Sequence, residues 1–94
     1  MYTEATVLSI VKQRLNRLST DLDGHLRIRI EAAAGELERN GIKLVGDIDD
    51  NVFLADYTVW KYQNRDSNTG MPEWLRLARR ERFISSKGRE TVDT

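Results

Sequence analysis

The chain offers few residues whose type and spacing suit chemistry. His25, the single histidine, stands beside Asp23, and the chain has no cysteine. Acid–base or nucleophilic work needs a partner within hydrogen-bond reach, and no serine or second histidine lies at a catalytic spacing. His25 is therefore read as a partly exposed residue near a helix start. Asp47, Asp49 and Asp50 have the opening look of a calcium loop, but that loop continues to a bidentate glutamate at its twelfth position, where this sequence runs into apolar helix. Capping of a helix N-terminus is the better reading, because carboxylates accept the orphan N–H bonds there and complement the helix dipole. The remaining cluster is Arg76, Arg79, Arg80 and Arg82, interrupted by Glu81. It suits a solvated face, an ion-paired subunit interface or a phosphate-facing surface. No glycine-rich phosphate loop or paired catalytic carboxylates can be assembled. The chain reads as a non-enzyme, with no catalytic residue, cofactor or metal expected.

Charge restricts the phosphate reading. Fifteen Lys and Arg balance fifteen Asp and Glu, whereas a dedicated nucleic-acid binder normally carries a basic excess to neutralise the backbone. Arginine outnumbers lysine among the cations, a bias that suits ion-paired protein interfaces. At 94 residues, 39% hydrophobic and 32% charged, the chain has the size and composition of one globular domain. No apolar run approaches the roughly 20 residues that span a bilayer. The opening Met-Tyr-Thr-Glu-Ala-Thr-Val has no basic region followed by an apolar one, so no secretory signal is expected. The absence of cysteine removes disulfides and thiolate sites and fits synthesis in the cytoplasm.

The elements that must position these residues follow from periodicity. Thr3 caps a first short helix, with Tyr2 stapled onto Val7 and an apolar face of Leu8, Val11, Leu15 and Leu18. Its end falls between Gln13 and Leu18. Thr20 and Asp23 resemble a capping box opening a second helix to about Asn40, which buries Leu22, Leu26, Ile30, Ala33 and Leu37. Beside that stripe runs a narrower strip of Ile28, Ala32 and Gly35, small enough to admit another backbone or to pack internally. Gly41 stops the helix in a left-handed conformation, with Ile42 meeting Leu37. A third helix begins at Asp47 and is apolar around most of its circumference: Ile48, Val52, Ala55, Val59 and Tyr62 form one stripe, and Phe53, Tyr57 and Trp60 a second. It is the central helix. After a polar turn, Ser67-Asn68-Thr69-Gly70, Pro72 opens a last helix with Met71, Trp74, Leu75 and Ala78 on its buried side. That helix is expected to end near Ile84, so residues 1–84 form the helical domain and residues 85–94 a flexible tail. The fold class is all-α, a small bundle of about four helices. The aromatic trio Tyr57, Trp60 and Trp74 is read mainly as core.

With these elements in order, the sequence resembles the phage head–tail connector family, the neck adaptor or head-completion proteins beneath the portal of tailed phages. The resemblance rests on the long second helix with Glu31-Ala32-Ala33 at its middle, on Tyr57-x-x-Trp60 in the third, and above all on Met71-Pro72-x-Trp74-Leu75. It covers roughly residues 20 to 85.

The resemblance implies a structural protein. Subunits associate head to tail into a ring, a dodecamer, that docks on the portal protein and meets a tail or stopper protein. Packaged DNA passes through without specific readout. The location is the virion neck, after assembly in the bacterial cytoplasm, with no membrane partner. A heterologous contact that closes around an axis requires two different complementary faces on each subunit. The candidates are Ile28, Ala32 and Gly35, the face of Phe53, Tyr57 and Trp60, and Arg76, Arg79, Arg80 and Arg82 as ionic partners for Glu31, Glu36 or Glu38 of a neighbour. Two readings compete with the connector. In a small DNA-binding or regulatory protein the arginine helix would contact phosphates or base edges; an isolated four-helix interaction module differs from the connector only in its partner.

Overall fold

A computed structural model describes residues 2–16, 20–64 and 70–92, with side chains to residue 87. Leu18, Ser67, Asn68, Thr69 and the last two positions of the expected tail lie outside the described residues. The architecture is all-helical, with α1 Glu4–Leu15, α2 Asp23–Arg39, α3 Ile48–Gln63 and α4 Glu73–Val92. Among the described residues there is no strand, and no helix is long and apolar enough to cross a membrane.

Helix α3 is central in the literal sense. It packs against each of the other helices, while α4 packs against α3 alone among them. Its start is capped as the aspartates predict, with the Asp47 carboxylate accepting the Asp50 N–H at 2.7 Å. The face it buries keeps Phe53, Ala55, Tyr57 and Val59 of the expected stripes but extends to residues outside them. Leu54, Ala55 and Thr58 are fully buried and Asn51 nearly so, whereas Ile48 is 63% exposed. The reason is a rotation set by polar anchors. Asn51 turns inward because its Oδ1 accepts the Thr3 N–H at 3.0 Å, and this bond holds the start of α1 to the central helix. Thr58 hides its hydroxyl by donating to the Leu54 carbonyl, which lets it serve as a core residue.

Helix α1 places Val7, Leu8 and Val11 in the core. Thr3 occupies the capping position without a side-chain cap bond, its N–H being held by Asn51 instead. The helix ends at Asn16, whose φ of 60° is left-handed, a conformation that asparagine tolerates better than most residues. The capping box expected at α2 does not form. Leu22 stands at the cap without a side-chain bond, the Asp23 N–H bonds the Thr20 backbone carbonyl, and the Asp23 carboxylate pairs with Lys12 of α1 at 2.9 Å. An ion pair between helices has taken the carboxylate that the cap would have used.

The other end of α2 follows its sequence signals closely. Gly41 has φ 89°, its N–H bonds the Glu38 carbonyl, and the Ile42 N–H bonds the Leu37 carbonyl at 3.0 Å. This is the paired bonding of a Schellman end, and Ile42 and Leu37 are both fully buried beside it.

Helix α4 departs most from expectation. Leu75 is fully buried, but Trp74 is 59% exposed, so its assignment to the core is corrected. The Pro72 carbonyl accepts from the Leu75 and Arg76 N–H groups, which places the proline just before the helix and not at its first turn. The helix ends at Val92 and not near Ile84. Ser86, expected in the tail, is fully buried: its hydroxyl donates to the Arg82 carbonyl and accepts the Lys43 N–H, both at 2.8 Å.

Candidate subunit interface

The α4 helix is fastened by polar bonds at one end and leaves an apolar side outward. Its inward line is Leu75, Ala78, Arg82 and Ser86. Arg82 decides the rotation: its Nε lies 3.1 Å from Asp50 Oδ1, its guanidinium also donates to the Asp49 carbonyl, and it sits 4.7 Å from the Phe53 ring centroid. The other Asp50 oxygen accepts the Val45 N–H at 2.7 Å. Asp50 is thus a buried carboxylate that ties the α2–α3 connection to α4, a role beyond the capping assigned to it. Phe83 adds to the fastening by packing against Gly41, where a Cβ would come within 3.1 Å of the ring.

With that line inward, Leu77 and Ile84 project opposite to it, 52% and 58% exposed, and Trp74 stands at their edge. Arg76 and Arg80 are exposed beside them. Arg76 lies 3.9 Å from Glu73 of its own helix, and Arg80 has no ion-pair partner among the described residues. Arg79 is half-buried and faces the Glu36 and Tyr57 pair. The four arginines therefore do not form one surface. Arg82 and Arg79 are committed to buried or half-buried contacts within the subunit, and Arg76 and Arg80 point to the surface.

The aromatic face is corrected in the same way. Phe53 and Tyr57 are each 3% exposed and stacked at 6.1 Å, so neither is free to meet a neighbour. The Tyr57 hydroxyl donates to Glu36 of α2 at 3.1 Å, and Lys61 closes on the other Glu36 oxygen. Burial pushes the Glu36 carboxyl up, but the Lys61 hydrogen bond and charge, with help from Tyr57 and Arg79, outweigh it and hold the group below its usual range. Burial together with Glu36 pushes the Tyr57 hydroxyl up. Of Phe53, Tyr57 and Trp60, only Trp60 reaches the surface, half-buried.

No family model, curated protein or solved structure matches this chain.

The small-residue strip is where the surface opens. On α2, Leu26, Ile30, Ala33 and Leu37 point into the core, which leaves Ile28 65% exposed with Ala32 exposed beside it. The strip therefore does not pack inside the subunit. A Cβ built on Gly35 meets only the end of the Arg39 side chain, at 3.3 Å. Along the edge toward α3 lies an open cavity of about 540 Å³, lined by Arg29, Ala32, Glu36, Arg39, Trp60 and Tyr62 among others. Glu31 and Glu38 flank the opposite edge, exposed.

His25 is exposed, with its Nε2 accepting from Arg29 at 3.4 Å and its ring edge-on to Tyr62 at 6.0 Å. Among the described residues no group of three or more metal-ligating side chains is gathered. Sequence reasoning missed Leu77 and Ile84, which stand seven residues apart on α4 and form a second apolar line, a helical spacing legible in the sequence.

Proposed function

We propose that the protein is a phage head–tail connector, a neck adaptor that assembles into a closed ring beneath the portal and joins the DNA-filled head to the tail. The observation that carries this reading is the presence of two separate outward faces on one small subunit. One is the Ile28, Ala32 and Gly35 face of α2, and the other is the Trp74, Leu77 and Ile84 face of α4. A head-to-tail ring uses two unlike faces, where a two-fold dimer would use one twice. The order of elements and the Met71-Pro72-x-Trp74-Leu75 motif that carry the family resemblance support the same reading. The arginines lend less support to a DNA-reading helix, since Arg82 is spent on Asp50 and Arg79 on the Glu36 and Tyr57 pair.

In the ring, each contact is modest and closure supplies the avidity, because the last contact forms intramolecularly. The test is native mass spectrometry across a concentration series, alone and with the portal protein encoded in the same genome. Closed rings at high concentration or on the portal are expected. A chain that stays monomeric under both conditions, or that binds duplex DNA tightly with a preferred sequence at physiological salt, would overturn the proposal.

A further inference from the structure

Resting on the ring reading, we infer that the subunit contact is α4 of one copy laid antiparallel on the outer face of α2 of the next, with Trp74 entering the cavity between that neighbour's α2 and α3.

The two faces match in length and in charge. Ile28 to Glu38 and Trp74 to Ile84 each cover the same number of residues, roughly 15 Å of helix. Laid antiparallel, Ile84 comes over Ile28, and Leu77 comes over Gly35 and Ala32, where missing side-chain volume admits it. The same register sets Arg80 opposite Glu31 and Arg76 opposite Glu38 along one edge. Arg39 falls opposite Glu73 near the middle of the two faces, and Arg29 opposite Glu81 along the other edge. In antiparallel helices the same-handed edges meet, and these four meetings are between opposite charges, while Lys87 comes near Arg27, a residue already paired with Glu4 of its own subunit. The parallel arrangement loses this match, bringing Glu31 near Glu73 and Arg39 near Arg80.

Trp74 supplies the anchor. It stands at the edge of the α4 face that, in this register, overhangs the cavity lined by Arg29, Glu36, Arg39 and Trp60. At about 540 Å³ the cavity has room for an indole. The Arg39 guanidinium, one residue from the position opposite Trp74, offers a cation–π contact to the ring. A tryptophan seated in a pocket and ringed by charged pairs is the usual anatomy of an interface hot spot.

A charge reversal tests the register. Arg80→Glu and Glu31→Arg alter exposed side chains without an ion-pair partner among the described residues, so circular dichroism and the urea midpoint should stay at wild type. Each single variant is expected to lose assembly by native mass spectrometry, and the double variant to regain it. The cysteine-free chain allows a second readout: Gly35→Cys with Leu77→Cys should give, on oxidation, a ladder of head-to-tail oligomers up to the closed ring. If wild type forms rings and the single reversals form them equally well, or the double variant fails to recover, the inference falls while the ring stands. If the α4 variants keep the ring but lose the portal, the occupant of that face is the portal and the inference falls. If wild type forms no ring at all, both readings fall together.

Discussion

Arg82 of α4 holds Asp50 of α3 at 3.1 Å, and this pair governs which side of the last helix faces outward. The Asp50 side chain is 6% exposed and that of Arg82 21%, so the carboxylate left by removing the arginine would be buried and short of a partner. Breaking a buried pair costs about 3 to 5 kcal/mol, and the partial exposure of Arg82 lowers that to roughly 2 to 3 kcal/mol. Arg82→Met should therefore lower the urea midpoint clearly and speed amide exchange along α4 first. An unchanged midpoint with α4 still protected would show that the pair does not hold the helix.

Ser86 is a second fastening. Its hydroxyl both donates to Arg82 and accepts from Lys43, so Ser86→Ala strips the Lys43 N–H of its acceptor. Loss of a partly buried hydrogen bond of this kind costs about 1 to 2 kcal/mol. Denaturation of the variant should show that loss, and Ser86→Thr should recover part of it if the hydroxyl is what matters. Equal stability of all three proteins would remove Ser86 from the account.

Trp74 separates folding from assembly. At 59% exposure its truncation falls among surface substitutions, within about 0.5 to 1 kcal/mol of wild type. Trp74→Ala should melt normally and fail to form rings. A large drop in monomer stability would return Trp74 to the core.

Gly35 sits within a helix with only the movable Arg39 guanidinium nearby. Alanine there should stabilise the monomer by up to ~1 kcal/mol, the difference in helix propensity. Leucine should leave the fold intact and obstruct close approach of a second copy. Scattering and circular dichroism measured side by side check both statements, and a Gly35→Leu protein that is folded and still assembles would move the contact elsewhere.

The carboxylates Glu36 and Asp56 should act oppositely on acidification. Glu36 titrates below its usual range because Lys61, Tyr57 and Arg79 outweigh its burial. Its contribution is present above the ordinary carboxylate range and is lost as pH falls through that range to the lower folded value. Asp56 is raised by burial, which outweighs its pairing with Arg14 at 2.8 Å. The folded state binds its proton first, so stability is gained as pH falls through the raised value toward the ordinary one. Glu36→Gln should thus flatten the acid loss, by less than about 1 kcal/mol for a pair this exposed. Asp56→Asn should remove the acid gain and make the loss steeper. Urea melts across the acid range decide it, and curves parallel to wild type in both variants would contradict the assignment.

The amino-acid sequence by itself determined the elements and their punctuation. Gly41 with Leu37 and Ile42, and Asp47 at the start of α3, are local signals whose partners lie within a few residues, so a linear reading reaches them. The all-helical class and the central place of α3 followed from periodicity. Only the tertiary structure decided which way two helices turn. Apolar residues surround most of α3, so periodicity alone leaves its rotation open, and Asn51, reaching across to the Thr3 N–H, settled it. On α4, Trp74 and Leu75 are neighbours in sequence and equal in apolar character, but Arg82 has one buried carboxylate to satisfy, and meeting it turned Leu75 inward and Trp74 out. The cost of an unpaired buried charge exceeds the gain from covering one more aromatic ring. That ranking needs Asp50 and Arg82 to be known as neighbours, which the chain reveals only when folded.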